Sequence, residues 1–235
     1  MTGLTIVLFI VGFLGAQRIH PILLPVFLTI AVYPFYFTFV SLGKLKEAVA
    51  IVLLWALITS ILVVLTVFWV GEDAGKYIIR GLEYRKEMFE WIMTGKGAEG
   101  DINLFLVPKI IELTIFSLAS FLTIGFGGLL LGSILLNYMN YYVGCLLLYA
   151  REEYFLHALI LSWPIYAILR VVGYVFLGTA LSRLFYTLIV DKKLRFKEVK
   201  SLVLWAIVFI VLDFILKATI ANAYYQPLLK LILRI

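Results

Sequence analysis

The chain has 235 residues, 64% of them hydrophobic and 14% charged, with a formal net charge of +6 and a mean hydropathy of +1.08. A soluble domain carries about a quarter charged residues. Too little polar surface exists here to coat a water-soluble globule, which points to an all-α, polytopic transmembrane helical bundle of about seven spans in one membrane domain. A single cysteine, Cys145, and two histidines exclude a disulfide framework and a multi-cysteine metal site. The basic residues sit mostly in short loops and at helix ends, a distribution that suits membrane orientation and not nucleic acid.

In chain order, Thr2 to Ala16 is an apolar run with no Lys or Arg before it and no small-x-small cleavage pair. It reads as a short, retained first helix and not as a signal peptide. The stretch from Ile22 to Leu42 contains Pro25 and Pro34, both expected to bend it. After Lys44, Lys46 and Glu47, the segment Ala48 to Val70 gives 23 residues without a charge, enough to cross a hydrocarbon core of about 30 Å.

Residues 71–107 form the only long polar stretch, with five Lys/Arg against seven Asp/Glu. Lys76, Arg80, Glu83, Glu87 and Glu90 mark one face of a helix, and Ile78, Leu82, Phe89 and Ile92 mark the other. The spacing predicts an extramembrane amphipathic helix, ended by a flexible loop at Gly95, Gly97 and Gly100. Pro108 to Ala150 is apolar for twice the length of one span and must turn, either at Gly125-Phe126-Gly127-Gly128 or at Asn137-Tyr138-Met139-Asn140. Tyr154 to Val190, with Pro164 and Arg170 inside it, reads as one kinked helix or as a helix plus a half-helix.

The densest basic cluster, Lys192, Lys193, Arg195, Lys197 and Lys200, places the loop over residues 191–200 on the cytoplasmic side of the cell membrane. Counting back puts the N-terminus and the Lys44/Lys46 loop on the same side and the 71–107 segment outside. Ser201 to Ala223 then crosses once more. The tail over residues 227–235, charged only at Lys230 and Arg234, is expected to lie along the interface with those cations snorkelling to the headgroups.

The hydrolase, nucleotide-loop and metal-box signatures are absent, so no catalytic residue, cofactor or metal is expected. His157 and Ser162 are five apart, off a common helix face, and His157 reads as a packed, hydrogen-bonded histidine. The informative positions are ionisable residues inside apolar segments: Glu112, Arg170, Arg183, Asp213 and Lys217. Each needs a partner in lipid. Asp213 and Lys217 are spaced i,i+4 and can neutralise each other on one helix; alternatively Asp213 meets Arg170 across the bundle and forms a polar centre for a proton, an ion or an anionic headgroup. Arg183 and Glu112 lie nearer helix ends, where snorkelling is the default. Gly125, Gly127, Gly128 and Gly132 allow close helix approach in lipid. Asn137 and Asn140, beside Tyr138, Tyr141 and Tyr142, either line a polar cavity or sit at the membrane interface, and the tyrosines favour the interface.

The half from Lys109 to Leu229 resembles the stage II sporulation protein M family through Gly127-Gly128-Leu129-Leu130-Leu131-Gly132, then Asn137, Gly144, Pro164, Gly173, Gly178 and Ile220-Ala221-Asn222-Ala223 running to Pro227. It departs from that family where Tyr138 follows Asn137 and where Pro164 is followed by Ile165-Tyr166. The resemblance implies a multi-span protein of membrane assembly or remodelling. Together with the absence of catalytic sets, this leads to a non-enzymatic component of a membrane complex, whose partners are lipids and either other membrane subunits or further copies of the chain. The alternatives are a small transporter or channel built on Arg170, Asp213 and Lys217, and a lipid-modifying enzyme.

Overall fold

The computed structural model describes residues 1–234. Its helices are α1 (Thr2–Arg18), α2 (Leu23–Ser41), α3 (Leu45–Val70), α4 (Gly81–Thr94), α5 (Ile102–Leu122), α6 (Phe126–Leu148), α7 (Phe155–Leu161), α8 (Ile165–Val190), α9 (Phe196–Ile220) and α10 (Gln226–Ile232). With no named strand among the described residues, the all-α bundle is the observed class. Six helical segments are long and apolar enough to cross a membrane, with α1 as a shorter seventh. A polypeptide in hydrocarbon must satisfy its backbone within each segment, and helices do this.

Short connections make successive spans antiparallel. The N-terminus and the turns at residues 42–44, 123–125 and 191–195 therefore gather at one end, called here the basic end. The opposite end carries α4, α7 and α10. Apolar side chains point outward along α3 (Leu54, Leu57, Ile61, Leu65), α5 (Ile111, Ile115, Leu118, Leu122) and α9 (Leu204, Ile207, Val211, Ile215), which is the face lipid would cover.

Several boundaries move. Helix α5 begins at Ile102, capped by Asp101, whose carboxylate accepts from the Asn103 N–H at 2.9 Å. Residues 102–107 thus belong to a span and not to the polar segment, and Pro108 lies inside it. Pro25 falls in the first turn of α2, where an N–H has no intrahelical acceptor to lose. The turn after α5 is at Thr123-Ile124-Gly125, and Asn137 to Asn140 sit in the middle of α6. Of the two readings of residues 154–190, helix plus half-helix is observed: α7 stops at Leu161, and α8 restarts after Pro164.

The tail is held by protein contacts: α10 is stapled to the end of α4. Gln226 Nε2 donates to Ile92 O at 2.6 Å and Lys230 Nζ to Met93 O at 3.1 Å, on the last turn of α4. Leu233 bridges Ala150, and Arg234 pairs with Glu152 at 3.3 Å. The carbonyls at the end of α4 attract an ammonium, which accounts for the Lys230 contact.

Gly125 turns the chain with φ +89°, and a side chain there would strike the Tyr36 ring and the Ser182 hydroxyl. Gly132, in contrast, has nothing near its missing Cβ, so it is not a contact between helices. Thermal unfolding in detergent should separate the two: Gly125→Ala is expected to lose about 1–3 kcal/mol, whereas Gly132→Ala, on helix propensity, gains up to about 1 kcal/mol.

Candidate functional site

Six ionised side chains gather where α5, α8, α9 and the loop at residues 95–101 meet. Arg170 of α8 donates Nε and Nη2 to the two oxygens of Asp213 on α9, at 2.8 and 2.9 Å, with both residues buried. One turn along α9, Lys217 reaches Glu99 at 2.9 Å and lies over the Phe105 ring at 4.9 Å. On α5, Lys109 holds both oxygens of Glu112 at 2.9 Å, and the Tyr174 hydroxyl donates to the same carboxylate at 2.9 Å.

The local Asp213–Lys217 pair does not form. A guanidinium offers two parallel N–H groups that match both carboxylate oxygens, so Arg170 takes Asp213 and Lys217 turns to Glu99. Sequence reasoning missed Glu99, because a lone carboxylate in a Gly-rich loop looks solvated. Burial raises the pKa of Glu99, but the Lys217 ammonium and the Arg170 guanidinium outweigh it and hold the group below its ordinary value of 4.5.

Other expectations change with burial. Arg183 does not snorkel: it is buried, donates to Val40 O at 2.9 Å and Ser41 O at 3.0 Å, and pairs with Glu198 at 2.9 Å. It thereby ties α8 to the α2–α3 turn and to α9. Glu112 likewise pairs within the bundle. His157 is exposed, edge-on to Tyr154, and is not the packed, hydrogen-bonded histidine expected. Asn137 and Asn140 are both 2% exposed, as deep as their tyrosine neighbours, and face the protein interior from the middle of α6. Asn140 accepts from the Trp163 indole at 2.9 Å and donates to Leu136 O at 2.7 Å, while Asn137 Oδ1 has no partner among the described residues. Gly127 and Gly128 bring α6 against Ala119 and Ser120 of α5.

Three cavities adjoin the charged cluster. A vestibule of about 340 Å³ opens beside α4 and is lined by Arg80, Tyr84, Glu99, Lys109, Glu112 and Lys217. A groove of about 390 Å³ runs between α3 and α8, where Leu57, Ile61 and Ile168 at its rim face outward; Tyr84, Glu99, Asn140, Tyr142, Trp163 and Arg170 line its polar part. Tyr84, Met88 and Glu99 belong to both. Further in, a chamber of about 70 Å³ shares Ala56, Leu136, Met139, Arg170 and Val171 with the groove and is bounded toward the basic end by Tyr36 and Gly125. Trp55 Nε1, Ser120 Oγ and Thr179 Oγ1, which have no hydrogen-bond partner among the described residues, belong to residues of this inner wall.

Fold and site together define a multi-helix bundle with the apolar spans of a membrane protein, holding a charged vestibule beside an outward-facing apolar groove. Comparison with protein families, curated proteins and solved structures returns no match.

Because folding lowers the pKa of Glu99, its contribution to stability is complete above pH 4.5 and disappears as pH falls through the depressed value. Melting curves between pH 7 and pH 3 should show this loss in the parent protein. Glu99→Gln, which strands the Lys217 ammonium, should already be destabilised at pH 7 by about 3 kcal/mol and show a shallower acid slope; a steep, parent-like slope in that variant would contradict the assignment.

Proposed function

We propose that this chain is a multi-pass membrane protein that takes one amphiphilic molecule from the bilayer and presents its polar end to water. The hydrocarbon part lies in the groove between α3 and α8, and the head reaches the charged vestibule. One observation carries this reading: an outward-facing apolar groove and a polar vestibule share a wall at Tyr84, Met88 and Glu99. Ligand sites are concave and mostly apolar, with a few polar groups that fix orientation, and here the two characters are arranged end to end, as they are in an amphiphile.

The basic end faces the cytoplasm in this proposal. Its loops and flanking turns carry Lys44, Lys46, Lys192, Lys193, Arg195, Lys197 and Lys200 against Glu47, Asp191 and Glu198, whereas the other end carries Lys/Arg and Asp/Glu in equal number. Short loops rich in Lys and Arg stay inside, so the vestibule opens outside. A transporter would also need an opening at the basic end. There the Tyr36 hydroxyl donates to Ser182 at 2.9 Å beside Gly125, a closed arrangement that favours binding and presentation over conduction.

Ser60 lines the groove, and its hydroxyl bonds only its own helix, to Ala56 O at 2.8 Å. Ser60→Phe should fill the groove without stranding a partner. Native mass spectrometry of protein released from mild detergent is expected to show one retained amphiphile per parent chain and none on Ser60→Phe. Equal retention by both, or none by either, would refute the proposal.

A further inference from the structure

Charge and hydrogen bonding at the polar end of the groove impose different demands on a guest. The wall is electrically complete: Arg170 with Asp213, Lys217 with Glu99, and Lys109 with Glu112 set three cations against three anions. An added net charge would have no counter-ion left to claim, and burying an uncompensated charge costs several kcal/mol. The remaining charges of the vestibule do not change this. Arg80 pairs with Glu83 and Glu87 on the surface, and Lys96 and Glu90 stand at the exposed rim, where water and salt screen them.

Hydrogen bonding is not complete, and the imbalance has a direction. Arg170, 7% exposed, spends Nε and Nη2 on Asp213, while its Nη1 has no acceptor among the described residues. The hydroxyls of Tyr84 and of Tyr142, the latter 5% exposed, also line the groove without a protein partner among the described residues. A guanidinium nitrogen can only donate, and a phenol donates readily. Most of the acceptors nearby are occupied. Asp213 and Glu112 have both oxygens bonded, Glu99 Oε2 holds Lys217 with the Tyr166 hydroxyl beside the carboxylate, and Asn140 Oδ1 takes the Trp163 indole.

Resting on the amphiphile reading above, we infer that the head bound here is uncharged and rich in acceptor oxygen. A carbonyl or ester group meets Arg170 Nη1 and the two tyrosine hydroxyls without adding charge, a chemistry shared by quinone rings and by glycerol esters. Phosphate and carboxylate supply acceptors but bring a charge the wall does not balance. An ammonium head brings both a charge and more donors.

The test uses the whole protein in nanodiscs and five probes with one tail, a ten-carbon chain: a decyl-substituted benzoquinone, monodecanoylglycerol, decyl phosphate, decanoate and decylammonium. Saturable binding is followed by thermal stabilisation and by calorimetry, in the parent protein, in Tyr142→Phe and in the groove-filled Ser60→Phe. The quinone or the glyceride should bind roughly tenfold or more tightly than all three charged probes, and Tyr142→Phe should weaken that neutral probe by roughly fivefold, the worth of one hydrogen bond, with the charged probes unmoved. The two neutral arms separate a ring carbonyl from an ester. Tighter binding of a charged probe, abolished in Ser60→Phe, would overturn the uncharged head and leave the amphiphile reading intact. No saturable binding by any probe, or binding indifferent to Ser60→Phe, would overturn both.

Discussion

The fork between Arg170 and Asp213 is the interaction on which the rest of the interior depends. Neither residue tolerates hydrocarbon alone, and the geometry with two parallel N–H···O bonds fixes α8 and α9 in register as well as in proximity. Once Asp213 is occupied, Lys217 on the same face must look elsewhere. It draws Glu99 down from the loop at residues 95–101, and that loop in turn positions the start of α5 and the wall of the vestibule. Two pairings, the second following from the first, thus help to shape the vestibule.

The groove owes its width to small side chains and to a break. Ala56, Ser60 and Ala167 leave space between α3 and α8, and Ser162-Trp163-Pro164 interrupts the helix that would otherwise close it. A broken helix in a membrane protein must find other partners for its freed backbone groups. Here the Ile165 N–H donates to the Tyr225 hydroxyl at 3.2 Å, just before α10. The stapled tail therefore supports the break as well as covering the end of the bundle.

Hydropathy made the spans readable, because lipid imposes one dominant rule on every segment that enters it. The turn near Gly125 was readable for a similar reason: few residues other than glycine accept the backbone angle it requires. What was not readable came from tertiary geometry. An i,i+4 spacing announces the Asp213–Lys217 pair in the sequence, whereas the Arg170–Asp213 pair that forms, 43 positions apart, is readable there only as an alternative because nothing local ranks it first. Glu99 was invisible because exposure, and not residue type, distinguishes a loop carboxylate from a buried one. For Asn137 and Asn140 the sequence leaves polar cavity and interface both open, because tyrosines suit an interface and a polar interior equally well.

A double-mutant cycle on Arg170→Leu and Asp213→Leu, with unfolding followed in mixed micelles, tests the central interaction most directly. Each single variant should lose about 3–5 kcal/mol, because it strands the opposite charge, and the double variant should regain most of that loss. Losses that simply add would contradict a coupled pair and, with it, the pairings that help to shape the vestibule.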